Sequence, residues 1–187
     1  LTGKVLGVNG NLLNVGFEGS IRKNEVGYVL VDGKRLKGEV IRIQNGVASM
    51  QIYEMTNGIK VGDPVEFTGE LMSVELGPGL LTQVFDGLQN PLPELAEKCG
   101  FFLERGVYLD PIPDREWEFT PCVKVGEPVR AGSIIGSVPE GLFKHQIMVP
   151  FTLKGKNWKV KAIVTPGSYH VRATICIIVN DKGEEKE

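Results

Sequence analysis

Apolar residues in this chain fall into short runs broken by glycine. Between Leu36 and Ile43 they alternate with polar residues, Val40 and Arg42 on one face and Ile41 and Ile43 on the other. A period of two turns one face of an extended chain inward and leaves the other in water. "GKVLGVNGNLLNVGF" holds two such runs around Asn9-Gly10-Asn11. "VGYVLVDGKRLKGEVIRIQNGVASMQIYEMT" is punctuated by Asp32-Gly33 and Asn45-Gly46. Asn-Gly and Asp-Gly accept the positive φ that a tight hairpin turn demands. Short half-buried strands must pack on a partner sheet or close on themselves, and closure removes exposed edges. Residues 1–70 are therefore predicted to form a small six-stranded barrel. Gly62-Asp63-Pro64 is the turn before the strand at Val65 to Phe67, and Gly69 marks the boundary.

Residues 71–109 have a different texture. Leu80, Leu81, Val84, Phe85 and Leu88 recur at spacings of three and four, which predicts a helix starting just after Gly79. Gly77-Pro78-Gly79 supplies a stiff entry. Beyond Pro91 and Pro93, Glu94 to Lys98 predicts a second short helical turn, marginal without a larger partner surface. The region reads as a connector with short helices. Residues 110–181 are strand-rich again, in two halves of related rhythm. Gly126 and Gly167 each place a turn before a strand, in "VGEPV" and "VTPGSY". Residues 182–187 belong to the charged stretch "NDKGEEKE", expected to be frayed. The fold class expected is mainly β, one barrel and one second β domain joined by the connector.

Composition narrows the function classes. The 187 residues include 24 Gly and 11 Pro, turn punctuation for many short strands. A formal net charge of −2 provides no basic field for nucleic acid or an anionic membrane. Cys99, Cys122 and Cys176 are too scattered for a disulfide framework or a metal site, and fit free thiols in a reduced, cytoplasmic setting. No apolar run of about twenty residues spans a membrane, and no signal peptide is visible. The first residue is Leu1 rather than Met, the expectation being a piece of something longer.

Candidate chemistry is sparse. His145 and His170 share no metal-ligand spacing and read as surface or structural histidines. Ser20 sits beside a turn, outside any nucleophile elbow. There is no P-loop. "ELGPGLL" could hold an anion on free backbone N–H groups. Pro78 has no N–H, however, and the lysine and hydroxyl needed for a nucleotide are missing, so a rigid turn with Glu75 at its edge is the simpler reading. Asp110, Asp114, Glu116 and Glu118 make a solvated rim or, with Arg115 and Trp117, an acidic docking patch. Lys154, Lys156, Lys159 and Lys161 around Trp158 mark the solvent face of a hairpin rather than a nucleic-acid site. No catalytic, cofactor-binding or metal-binding residue is assigned.

"TGELMSVELGPGLLTQVFDGLQNPL", Thr68 to Leu92, closely resembles the catalytic A subunit of the V-type and archaeal-type rotary ATPases. "GKVLGVNGNLLNV" at Gly3 to Val15 and "MQIYEMTNGIKVGDPV" at Met50 to Val65 resemble that family's N-terminal barrel. "VYLDPIPDREWEFTPCVKVGEPVRAGSIIGSV" at Val107 to Val138, "HQIMVP" at His145 to Pro150 and "TPGSYHV" at Thr165 to Val171 resemble its non-homologous insertion. The resemblance covers essentially the whole chain. It implies a barrel that serves a ring of three A and three B subunits. It also implies a barrel-sandwich-like bulge that meets the peripheral stalk, with residues 71–109 at the edge of a nucleotide-binding domain. The family's ATP loop and catalytic glutamate lie downstream of the insertion. The implied reading is a non-catalytic N-terminal fragment without cofactor, a monomer or weak oligomer by itself. Its parent would use Mg-ATP to couple hydrolysis or synthesis to proton or sodium transport, on the cytoplasmic side of a membrane complex without inserting into it. Pro150-Phe151 replaces the family's usual double proline, and "GKNWKVKAI" its shorter hairpin. The paired halves are also similar to biotin- and lipoyl-carrier domains, for which Lys144 and Lys156 would be the hairpin-tip candidates, but neither lies in the usual Met-Lys-Met context. The competing classes are a stand-alone β-barrel binding module and an independent enzyme.

Overall fold

A computed structural model describes residues 1–155 and 157–187. Lys156, one of the two carrier candidates and a member of the lysine set around Trp158, lies outside the described residues. The chain separates into two units, Leu1–Val74 with Asp86–Leu109 and Glu75–Phe85 with Asp110–Glu187. The stretch read as a connector is thus divided between them.

The first unit is built on six strands: β1 (Thr2–Asn9), β2 (Leu12–Phe17), β3 (Glu25–Val31), β4 (Lys34–Gln44), β5 (Val47–Ile52) and β6 (Pro64–Leu71). They close into a barrel in the order β1-β2-β5-β4-β3-β6, as the alternation predicts. Asp32-Gly33 and Asn45-Gly46 are two-residue hairpin loops with positive φ at both positions, 48° and 75°, 51° and 74°. That is the pattern whose twist matches the flanking strands. Leu13, Leu36, Met50, Ile52, Val5, Val15, Val29, Val40 and Val65 are fully buried inside. Each such side chain contributes roughly 1.5–3 kcal/mol by leaving water. The alternation in β4 breaks at a bulge between Val40 and Arg42, after which Ile41 and Ile43 are exposed. An extra residue there bends the strand, as a small barrel needs. Gly38 lies in the same strand because a Cβ would stand 2.5 Å from the Gln51 carbonyl oxygen and 2.7 Å from Ile52.

Helix α1 (Leu92–Cys99) also belongs to this unit. Pro93 does not interrupt it. Proline in the first turn loses no hydrogen bond, since that N–H has no intrahelical acceptor. Glu94 in the first turn and Lys98 in the last suit the helix dipole, and Gly100 closes the end at φ 67°. Leu95 is the residue it buries.

The helix expected from Leu80 to Leu88 does not form. Thr82 and Gln89 have φ of 67° and 65°, outside the helical region. Asp86 turns its carboxylate on the local backbone, accepting the N–H of Leu88 and of Asn90 at 2.8 Å each. Such side-chain acceptors compete with the helix for the backbone. Leu81 and Val84 are exposed. The five apolar residues had the spacing of a helical stripe, but local turn chemistry overrides it.

The second unit holds two four-stranded antiparallel sheets. One, in the order β10-β9-β7-β12, contains β7 (Glu116–Pro121), β9 (Ile134–Glu140), β10 (Phe143–Met148) and β12 (Gly167–His170). The other, β14-β13-β11-β8, contains β8 (Pro128–Val129), β11 (Trp158–Ile163), β13 (Cys176–Val179) and β14 (Glu185–Lys186). The sheets form a sandwich. Of the two expected glycine turns, that at Gly126, with φ 87°, leads into β8, whereas Gly167 is the first residue of β12 itself, paired with Phe119. Trp117, Phe119 and Val138 form one core cluster, and Val129, Ile135, Val149, Trp158, Val160, Cys176 and Ile178 the other. The charged end is not frayed. The Asn180 side-chain oxygen accepts the N–H of Lys182 and Glu184, and this turn brings β14 back onto β13.

Candidate functional site

The glycine-rich loop singled out as a possible anion holder does hold an anion, one supplied by the same unit. Glu140, at the end of β9 and only 6 % exposed, accepts the N–H of Gly79 at 2.6 Å and of Leu81 at 3.1 Å, both on Oε1. Its Oε2 meets His145 Nδ1 on β10 at 2.8 Å. Burial pushes the Glu140 carboxyl up. The two backbone donors and the His145 ring outweigh it and hold the group below the usual carboxylate range. Gly79 has φ 101°, and a Cβ there would stand 2.7 Å from the Pro113 ring. The loop therefore needs glycine for both conformation and space.

Three acids of the cluster around residues 110–118, Asp110, Asp114 and Glu116, have side-chain partners in the same unit. Arg172 reaches from beyond β12 to Asp110 at 2.6 Å and also to Glu75. Burial raises the Asp110 carboxyl, but the N–H of Ile112 and the Arg172 guanidinium take it below its ordinary value. The two acids raise the Arg172 pKa, those hydrogen bonds being the main cause. His170 meets Asp114, and Ser168 donates to Glu116 at 2.9 Å. Trp117 is 8 % exposed, inside the core, with Arg115 stacked 3.9 Å over its ring. It is not the exposed anchor that a docking patch with Arg115 would require. Its Nε1 has no acceptor among the described residues.

Lys159 and Lys161 point to solvent while Trp158 and Val160 are buried, which matches the solvent-face reading, but the strand belongs to no hairpin: β11 pairs with β8 and β13, and β10 lies in the other sheet. Trp158 donates from Nε1 to the Lys154 carbonyl at 3.1 Å. Lys144 is not at a hairpin tip. It lies in β10 opposite Pro139, while Gly141 and Leu142 make the turn. Leu142 is 100 % exposed and Phe143 beside it is exposed. The three cysteines are free: Cys122 exposed, Cys99 intermediate and Cys176 buried, its thiol pushed up by that burial. Among the described residues no group of three or more His, Cys, Asp and Glu could hold a metal ion. No helix among them is long and apolar enough to cross a membrane.

In the first unit, Glu54 fastens residues 105–108 to the barrel. It accepts the Gly106 N–H at 2.5 Å and the Tyr108 hydroxyl proton. The Tyr108 oxygen in turn accepts the Lys37 N–H at 2.7 Å. Sequence reasoning missed Glu54, Tyr108 and Glu140. Apart from His145, five residues from Glu140, their partners lie 52 to 73 residues away along the chain, so no local spacing announces them. Past α1, Phe101, Phe102 and Leu103 are exposed in succession.

A closed β-barrel followed by a barrel-sandwich defines a two-module β scaffold, and known families match both modules. A model described as the ATP synthase alpha/beta family beta-barrel domain matches residues 5–69. Another, the ATPsynthase alpha/beta subunit barrel-sandwich domain, matches residues 110–187. The chain belongs to the ATP synthase alpha/beta family. It is 56 % identical over 182 residues to the V-type ATP synthase alpha chain of Treponema denticola, an alignment covering 97 % of this chain and 31 % of that one. To the V-type ATP synthase alpha chain 1 of Treponema pallidum it is 55 % identical over 186 residues, 99 % of this chain and 31 % of the relative. To the corresponding chain of Borreliella burgdorferi strain B31 it is 55 % identical over 182 residues, 97 % and 32 %. The resemblance read from the motifs therefore holds, and the chain spans about a third of the length of the curated relatives it matches.

Proposed function

We propose that this chain is the non-catalytic, scaffold-forming portion of a V-type catalytic subunit. The barrel serves assembly of a ring of three A and three B subunits, and the barrel-sandwich is the outer bulge that meets the peripheral stalk. The observation that carries this reading is the alignment. Nearly all of this chain matches the V-type alpha chain of Treponema denticola at 56 % identity, yet it accounts for only 31 % of that chain's length. Barrel closure supports an assembly role: it uses every strand edge internally, leaving outward side chains for contacts between subunits. The exposed Leu142 and Phe143 turn supports a docking role for the bulge. The parent would bind Mg-ATP outside this region and couple its hydrolysis or synthesis to proton or sodium movement, on the cytoplasmic side of a membrane complex.

The test is deletion in a full-length V-type alpha chain. Removing residues 1–70 is expected to abolish the ring in native mass spectrometry. Removing residues 110–181 is expected to leave the ring and lose the stalk subunits. A ring that forms without the barrel overturns the first assignment, and stalk capture without the bulge overturns the second.

A further inference from the structure

We propose that Glu140 is a built-in anion for the Gly77–Leu81 loop, a carboxylate latch that makes residues 75–85 part of the second unit. The loop has no strand or helix to satisfy its backbone. A buried N–H must find an acceptor, because leaving one unmade costs the desolvation of the group. Pro78 has no N–H to satisfy. Gly79 and Leu81 do, and a single oxygen of Glu140 takes both. The other oxygen is held by His145, the titratable group that faces the carboxylate, so both oxygens are engaged. The fit around the loop is close: a Cβ at Gly77 would stand 3.0 Å from Ile112, and one at Gly79 2.7 Å from Pro113. At the near end of the segment, the Arg172 bridge to Glu75 and Asp110 gives a second fastening, exposed and so weaker.

The latch does what a bound phosphate or sulfate does in a glycine loop, and it leaves no vacancy for either. It gives an irregular segment with exposed Leu81 and Val84 a fastening within its own unit. A protonated Glu140 carries a proton on one oxygen and loses the charge that strengthens these bonds, so the latch opens in acid and stays closed at neutral pH.

Amide exchange measured by NMR on the intact chain tests this. Gly79 and Leu81 are expected to exchange roughly tenfold or more slowly than free chain. In Glu140→Ala both return to free-chain rates while Phe119 and Val138 stay protected. Glu140→Gln, which keeps a carbonyl acceptor, falls between. In an acid titration of the wild-type chain, the amide resonances of Gly79 and Leu81 move together with the Glu140 carboxyl carbon. Free-chain exchange at these amides in the wild type, unchanged protection in Glu140→Ala, or amide shifts that ignore the Glu140 titration would each overturn the proposal. The wild-type exchange and titration decide the matter even if the alanine variant does not fold.

Discussion

The Glu25 carboxylate accepts the N–H of Gly69 at 2.9 Å, tying the first residue of β3 to a glycine 44 positions later in β6. Its second oxygen accepts the Arg22 N–H at 2.9 Å, and the residue is 2 % exposed. One buried carboxylate therefore serves backbone donors on both sides of a barrel seam. Glu25→Ala leaves both without this acceptor and should cost about 1–3 kcal/mol in urea denaturation. Glu25→Gln, with one carbonyl oxygen retained, should cost less. Equal losses would show that packing, not hydrogen bonding, sets the position's contribution.

Gly136→Ala should destabilise the second unit. An added Cβ would stand 2.3 Å from the Phe119 ring and 2.7 Å from the Thr120 carbonyl oxygen. Overpacking of this kind costs roughly 1–3 kcal/mol or more. Thermal unfolding followed by tryptophan fluorescence reports it, since Trp117 and Trp158 are both in this unit. An unchanged midpoint would mean that the ring moves aside freely.

Acid should weaken the same unit. Glu140 and Asp110 both titrate below the ordinary carboxylate range when folded, their backbone and ion-pair partners outweighing burial. A depressed folded pKa means that the unfolded state binds protons first. The stabilisation is complete above the unfolded carboxylate value of about 4 and is lost as pH falls through the folded value. Denaturation midpoints measured from pH 7 to 3 should be level near neutrality and fall below about pH 4. In Glu140→Gln the fall should be shallower.

Alkaline titration should find Tyr53 late. Burial, then the hydrogen bond to Glu39 at 2.6 Å and that acid's charge, push the phenol up to about 12. A raised folded value makes its stabilisation complete below the unfolded value of about 10 and lost as pH rises through about 12. Absorbance at the phenolate band should show a step near pH 12 that disappears in Tyr53→Phe. Glu39→Gln should move the step toward 10.

Thiol reagents should distinguish the three cysteines. Cys122 is exposed and should react fastest in the native chain, Cys99 more slowly. Cys176 is buried with a raised pKa, so its thiolate is both scarce and inaccessible, and it should react only on unfolding. Mapping the labelled peptides over time checks the order. Early labelling of Cys176 would contradict the packing of its cluster.

The barrel was legible because its instructions are local. Alternation sets which face of a strand goes inward, and Asp32-Gly33 and Asn45-Gly46 specify turns through their own φ preferences. The motifs at Thr68 to Leu92 and Val107 to Val138 were enough to point to the family. Spacing misled where side chains rewrite the backbone: Asp86 captures the Leu88 amide that a helix from Leu80 to Leu88 would have used, and the Asn90 amide just beyond it. Trp117 likewise looked like an interface residue, until the strand placed it inside with Arg115 stacked upon it. Gly77-Pro78-Gly79 announced a loop able to hold an anion. That the anion is Glu140, 61 residues from Gly79, was decided by where β9 ends in the folded unit. Composition and spacing express torsional preference and face periodicity, which act over a few residues. Which buried donor meets which acceptor is settled only when chain closure brings distant segments to within 3 Å or so, and no pairwise signal along one sequence encodes that distance.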